Sequence, residues 1–189
     1  MVILGRKYFF TWRALKGAFT ALCLSLLLTA NARADLKLES QVKGAFLERF
    51  LAFIEKDGAT HVLAEQSQRV EICVYADHAI FSALQELSQV SENKIAYHFV
   101  NDLQDSSTCL LMFIGSESND GIQEILDKIS GSQIVTVSDV KGFADKGGMI
   151  ELVKEGRHIR FILNRHAAKN HGIKFGAQLL SLAKEVIER

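Results

Sequence analysis

The 189-residue sequence contains no proline and only three cysteines, and no internal repeat or low-complexity segment interrupts it. Segments rich in proline, or in glycine and serine, are the usual composition of linkers between domains. Their absence excludes a string of domains joined by such linkers. The length of the chain suits one domain that buries a sizeable core.

Catalytic and metal-binding motifs are missing as well. No HExxH or GxSxG pattern occurs, so neither a zincin metal site nor the nucleophile of an α/β-hydrolase is predicted. His166 and His171 are five residues apart, which turns them away from each other on a helix, and we interpret each as a surface or capping residue. We therefore predict a protein that is not an enzyme and that uses no metal and no cofactor.

The first 34 residues contain no acidic side chain. A basic start precedes an apolar run over residues 17–30, and Ala32-Arg33-Ala34 supplies the small residues of a signal-peptidase site. An uncleaved membrane anchor is the alternative, but a spanning helix needs about 20 apolar residues and this run is shorter. We predict a signal peptide over residues 1–34 that is cleaved after Ala34, export to the periplasm, and no stable membrane insertion afterwards.

Removal of this segment changes the charge balance. The full chain has 22 basic and 22 acidic residues, and the segment holds five of the basic ones, so residues 35–189 carry 17 against 22, a formal charge of −5. The basic stripe expected of a nucleic-acid-binding protein is therefore missing, and we predict no nucleic-acid partner.

Cys73 and Cys109 are the two cysteines outside the predicted signal peptide. An even count in an exported chain suggests a disulfide. Closing a loop of about 37 residues would stabilise the fold by roughly 3–4 kcal/mol on the chain-entropy estimate. The alternative is two separate buried thiols, because both cysteines lie in apolar runs that predict strands.

Helical and strand-like spacings alternate along residues 35–189, which predicts an α/β fold. Helices are predicted over residues 39–55, 79–90 and 121–129, after Asn164, and at the C-terminus through Val186 and Ile187. Strands are predicted over residues 70–75, 95–100, 109–114 and 134–137, and Glu155-Gly156 joins two more, 149–153 and 157–163, in a hairpin. We predict a single-domain three-layer sandwich, with a mixed sheet, helices on both faces and an antiparallel hairpin at the edge.

One loop, Ser138 to Met149, begins where a buried strand ends, which is where open α/β sheets place their sites. Gly147 and Gly148 lead into a predicted strand rather than a helix, so we interpret them as glycines of a tight backbone path and not as a phosphate cradle. Phe143 is either an anchor for a partner or a plug of the core beneath the loop.

The pattern of this loop and its surroundings resembles the YfiR-like family of periplasmic regulators. The resemblance covers essentially all of residues 35–189. The stretch from Ser138 to Ala183 is the specific part. The matching residues are Ile134 to Asp139, Gly142-Phe143, Gly147 to Ile150, Ile159 to Phe161, Leu163-Asn164, Ala167-Ala168, Gly172 to Lys174, Leu179-Leu180 and Leu182-Ala183. Relatives commonly have Trp-Pro after the first helix, where this chain has Phe53 to Gly58, and some have a second cysteine pair that this chain lacks.

The resemblance implies an exported α/β protein without catalytic activity. The best-understood relative represses a membrane-bound diguanylate cyclase by binding its periplasmic part, which lowers cyclic-di-GMP and biofilm formation. The resemblance also implies that Cys73 and Cys109 form a disulfide, because relatives have a bridged pair at these positions. Candidate contacts to a partner or a ligand are Ser138, Asp139, Gly142, Phe143, Gly147, Gly148, Met149, Arg160 and Asn164.

Two hypotheses of different classes follow. The first is a non-catalytic repressor of a membrane-bound diguanylate cyclase, with a homodimer left open. The second is a small-ligand-binding module in which the Ser138–Met149 loop lines a cleft and Arg160 pairs with an anion, although Arg160 also fits a solvated strand residue. An enzyme ranks third, because no nucleophile, base or metal set is visible.

Overall fold

The computed structural model describes residues 35–56, 70–89, 95–118 and 120–189. The chain divides into two compact units, residues 1–39 and 40–189. The described residues of the first unit, 35–39, are helical. The predicted signal peptide lies outside the described residues, and none of the described helices is long and apolar enough to span a membrane.

The second unit contains the sheet and the helices that pack on it. Residues 40–51 form helix α1. The other helices are α2 (His78–Ser88), α3 (Ile122–Lys128), α4 (Arg165–Asn170) and α5 (Ala177–Leu182), and Leu103–Ser106 form a 3₁₀ turn. The strands are β1 (Ile54–Lys56), β2 (Val70–Tyr75), β3 (Ile95–Val100), β4 (Leu111–Ile114), β5 (Val135–Ser138), β6 (Ile150–Glu155), β7 (His158–Asn164), β8 (Ile173–Phe175) and β9 (Glu185–Ile187).

Seven of these strands form one sheet in the order β3-β2-β4-β5-β6-β7-β9. All neighbours in it are parallel except β6 and β7, which form the antiparallel hairpin. Strands β4 and β5 are buried along their whole length, which is typical of parallel strands covered on both faces. The predicted α/β class, the mixed sheet and the hairpin are confirmed.

Two clusters of buried side chains lie on opposite faces of this sheet. The first core contains Phe50 of α1, Leu84 of α2 and Leu179 of α5, and it covers what we call the front face. The second core contains Ile125 of α3 and Phe143 of the loop after β5, and it covers the back face. Helices on both faces are therefore confirmed. The back face of β6, β7 and β9 carries no helix among the described residues.

Two predicted helices were too long. The first ends at residue 51, and Ile54–Lys56 instead form β1, which pairs antiparallel with β8. The C-terminal helix ends at Leu182, and Val186 and Ile187 belong to β9, which pairs with β7. In both places apolar residues continue the helical spacing, but a strand distant in sequence offers backbone partners that the spacing does not reveal.

Candidate functional site

The predicted site loop is the crossover between the parallel strands β5 and β6, and we call residues 139–149 the crossover loop. Its two ends are fastened by buried hydroxyl groups. Ser138 Oγ donates to the carbonyl oxygen of Ile114 at 2.7 Å and accepts from the amide of Val140 at 3.1 Å. Thr136 Oγ1 accepts from the amide of Met149 at 3.0 Å.

The middle of the crossover loop is held by Glu151, the second residue of β6, which is only 5% exposed. Its Oε1 accepts from the amide of Gly142 and its Oε2 from the amide of Ala144, both at 3.0 Å. A carboxylate that accepts two backbone hydrogen bonds in a buried place fixes the loop strongly. Glu151 is absent from the residues that the sequence pattern predicts for the site, although an acidic residue within a predicted buried strand is a signal for such a role.

Asn164, a predicted contact residue, also serves the interior. Its Nδ2 donates to the carbonyl oxygen of Ala144 at 2.8 Å. Its Oδ1 accepts from the amide of Ala167 at 2.7 Å and so caps α4, as the sequence predicts. Both polar atoms of the amide therefore have internal partners.

Phe143 is completely buried in the second core. A Cβ atom on Gly148 would lie 2.1 Å from Phe143 Cε1, so only glycine fits beneath the aromatic ring. Gly142 and Gly147 have φ angles of 76° and 98°, which L side chains rarely adopt. These residues build the tight path of the loop, and Phe143 is a plug of the core rather than a surface anchor.

The disulfide lies beside this plug. Cys73 in β2 and Cys109 just before β4 are bonded, with their Cα atoms 5.8 Å apart. Both belong to the second core, and they are 1% and 6% exposed. The bridge therefore ties β2 to the start of β4, its neighbour in the sheet, on the back face.

The order of the strands places the topological switch point of the sheet between the carboxyl ends of β2 and β4. There a Cβ atom on Gly115 would lie 2.1 Å from the carbonyl oxygen of Ala76, so backbone fills the crevice. Asp77 caps α2 through the amide of Ile80 at 2.8 Å. Burial raises the pKa of Asp77, and the nearby charges of Asp139 and Glu117 raise it further, against the lowering effect of that hydrogen bond.

Asp139, a predicted contact residue, lies at the same edge. Its Oδ2 is 2.6 Å from Lys43 Nζ of α1, and both side chains are largely buried. This ion pair joins the start of the crossover loop to the front-face helix. Asp139 therefore holds the start of the loop through a helix, whereas Ser138 holds it through the neighbouring strand β4.

A cleft of about 550 Å³ opens on the back face next to the crossover loop. Half-buried side chains of Val153, Ile162 and Ile187 contribute apolar lining from the three strands β6, β7 and β9. Charged residues of the loop, of the segment before β9 and of the start of β9 also line the cleft, and they include Asp139, Lys141, Asp145, Lys184 and Glu185. Arg160 is exposed and pairs in register with Val153, which places it on the same face.

His166 lies on α4, and His171 directly follows the last residue of that helix. His171 Nδ1 lies 2.9 Å from the carbonyl oxygen of Ala167 at the C-terminal end of α4, and His166 is exposed. Within the described ranges, no group of three or more His, Cys, Asp or Glu residues is arranged to hold a metal ion.

In this α/β domain the buried polar groups of the crossover loop serve the fold, and charged groups lie on an open face of the sheet. The chain belongs to the YfiR/HmsC-like family, whose model matches residues 40–184. Members of this family are generally non-catalytic regulators. No curated protein matches the sequence.

Two solved structures share part of the fold. One is the ABC domain in complex with L-Trp from Streptococcus pneumonia, with 10% identity, a TM-score of 0.47, and coverage of 62% of this chain and 55% of that one. The other is a conserved domain protein from Vibrio cholerae, with 11% identity, a TM-score of 0.47, and coverage of 66% and 56%. This chain matches little more than half the length of either.

Proposed function

We propose that this protein is a periplasmic regulator that binds the periplasmic part of a membrane-bound diguanylate cyclase and represses it. Repression would lower cyclic-di-GMP and, with it, biofilm formation. The observation that carries the proposal is membership of the YfiR/HmsC-like family over nearly all of the second unit. The buried disulfide supports an oxidising compartment such as the periplasm.

A regulator without catalytic groups acts through differential affinity. It must bind the inactive form of the cyclase more tightly than the active form, and each tenfold difference shifts the equilibrium by about 1.4 kcal/mol. The crossover loop is bonded internally through Glu151 and Asn164, so its buried residues supply no contacts. We assign the contact to the exposed groups of the β6–β7 hairpin, which lie on an open face of the sheet.

The test is capture of partners by the oxidised protein, expressed in the periplasm without its predicted signal peptide. Mass spectrometry of the captured material should identify a membrane protein that has a periplasmic sensor region and a GGDEF domain. Deletion of the gene should raise cellular cyclic-di-GMP, and re-expression should lower it again. Unchanged cyclic-di-GMP in the deletion strain, with no cyclase captured by folded protein, would contradict the proposal.

The cleft supports a second candidate, a small-ligand-binding module. Its volume of about 550 Å³ lies within the range of ligand pockets, and the crossover loop contributes Lys141 and Asp145 to its lining. When a library of metabolites is screened by thermal shift, the metabolite that binds the cleft should raise the melting temperature of the protein. The rise should disappear in Ile162→Glu, which places a charge on the floor, and persist in Leu182→Glu, which changes an exposed side chain absent from that lining.

A further inference from the structure

The outer edge of β7 is only half covered. Strand β7 has seven residues, and β9 pairs with Ile162, Leu163 and Asn164 alone. Beside residues 158–161 no other described strand lies on that side. An uncovered strand edge is a template for another extended chain.

Two hydrogen bonds show which backbone groups point outward there. The amide of Asn164 donates to Met149, on the β6 side, whereas the carbonyl oxygen of Phe161 accepts from the amide of Lys184, on the β9 side. Because the direction alternates from residue to residue in an antiparallel strand, Ile159 points the same way as Phe161. The N–H and C=O groups of Ile159 therefore face outward at the uncovered part of the edge.

The side chains around this edge differ between the two faces. On the front face, Ile159 is half-buried against the first core, and Leu182, at the end of α5, is 55% exposed. On the back face Arg160 is exposed, and Lys184 forms an ion pair with Glu155 at 2.5 Å. Arg157, in the hairpin turn, is also exposed.

The edge is basic although the protein beyond residue 34 is acidic, with 17 basic and 22 acidic residues. Neither Arg157 nor Arg160 forms a salt bridge with any described residue. The nearby charge of Arg160 helps to lower the pKa of the Glu155 carboxyl, but the ion pair of that carboxyl is with Lys184. Two guanidinium groups that lie outside salt-bridge distance of the described carboxylates, next to outward backbone groups, are complementary to carboxylates on an extended chain.

We propose that the β7 edge, residues 157–161 with Leu182 and Lys184, binds an extended segment of a partner protein by strand addition. The side chains of this partner segment alternate between acidic residues, which face Arg160, and apolar residues, which cover Leu182. The inference deepens the proposed function and rests on it for the identity of the partner, namely the cyclase. A second copy of this chain fits less well, because a two-fold axis at Ile159 would set Arg160 opposite His158 and make the two Arg160 side chains diagonal neighbours on one face, with no carboxylate supplied to either.

The direct test uses a blocked peptide of alternating Glu and Val, with the Lys–Val peptide of equal length as the control. Hydrogen exchange of the oxidised protein is followed by NMR at the amides of Ile159 and Phe161. The Glu–Val peptide should slow exchange at both amides by about tenfold or more, because strand addition gives them acceptors, and added salt should weaken the effect. The proposal would be overturned if the two peptides slowed exchange equally, or if they slowed it only at amides elsewhere in the protein. It would also be overturned if a higher protein concentration alone slowed exchange at Ile159 and Phe161, since that would indicate dimerisation through the edge.

Charge reversal separates this inference from the proposed function. Arg157→Glu/Arg160→Glu should reverse the preference of the edge to the Lys–Val peptide and reduce capture of the cyclase by about tenfold or more. The matched control, Arg49→Glu/Lys169→Glu, makes the same charge change at exposed positions on α1 and α4 and should alter neither. If the Arg157→Glu/Arg160→Glu variant captures the cyclase as well as the unaltered protein does, the proposed strand addition at the β7 edge is wrong, but the proposed function is not. If the unaltered protein captures no cyclase, the proposed function is wrong, and the peptide experiment still tests strand addition.

Discussion

The two ends of strand β6 use glutamate in opposite ways. At the start of the strand, Glu151 is buried and accepts hydrogen bonds from the amides of Gly142 and Ala144. At its end, Glu155 is exposed and pairs with Lys184, whose hydrogen bond lowers the pKa of the Glu155 carboxyl. Both stretches fall within the family match, and of these two glutamates only Glu155, at the hairpin end, is exposed. A strongly patterned loop can therefore owe its pattern to hydrogen bonds that hold the fold together.

The largest expected contrast is between Phe143 and Ile162. Phe143→Ala removes a fully buried ring from the second core and should lower the free energy of unfolding by about 4 kcal/mol. Ile162→Ala, on the floor of the open cleft, removes a half-buried side chain and should cost about 1 kcal/mol. Urea unfolding of the oxidised variants measures both. Similar losses would mean that the back face is packed as tightly at the cleft as beneath the loop.

The next contrast is between the two glutamates. Glu151→Ala leaves two amides of the crossover loop without their acceptor and should lower the free energy of unfolding by about 3 kcal/mol. Glu155→Ala removes a solvent-exposed ion pair and should leave the unfolding midpoint unchanged within error. Glu151→Gln, which keeps one carbonyl oxygen, should fall between them. An unaffected Glu151→Ala variant would show that the loop does not depend on the carboxylate.

The smallest effect concerns Asp77, at the edge where the crossover loop begins. Burial raises its folded pKa above the ordinary value, so the ionised carboxyl opposes folding at neutral pH, and the opposition disappears as the pH falls through the folded pKa. Asp77→Asn keeps an oxygen that accepts from Ile80, and it should raise the thermal midpoint slightly at pH 7. Thermal melts across pH should bring the two proteins together below about pH 4. A variant that is less stable at pH 7 would mean that the charge itself supports the cap.

The sequence predicted the central parallel strands well, because β2, β4 and β5 are apolar runs whose burial on both faces needs no partner to be recognised. It also predicted the cap at Asn164, whose side chain acts on an amide three residues away. It did not predict the role of Glu151, because the amides that this carboxylate accepts from come into reach only when the crossover loop folds back over β6.

The sequence by itself determined the class of fold, the two cysteines outside the predicted signal peptide, and the glycines at which the crossover loop turns, because each depends on local spacing or on residue type. Only the tertiary structure decided that Phe143 is a plug, that β9 is a strand rather than the end of a helix, and that β9 is the only described strand on the outer edge of β7 and covers half of it. Those outcomes depend on which distant backbone and side-chain groups reach each other first, and neither spacing nor composition records that.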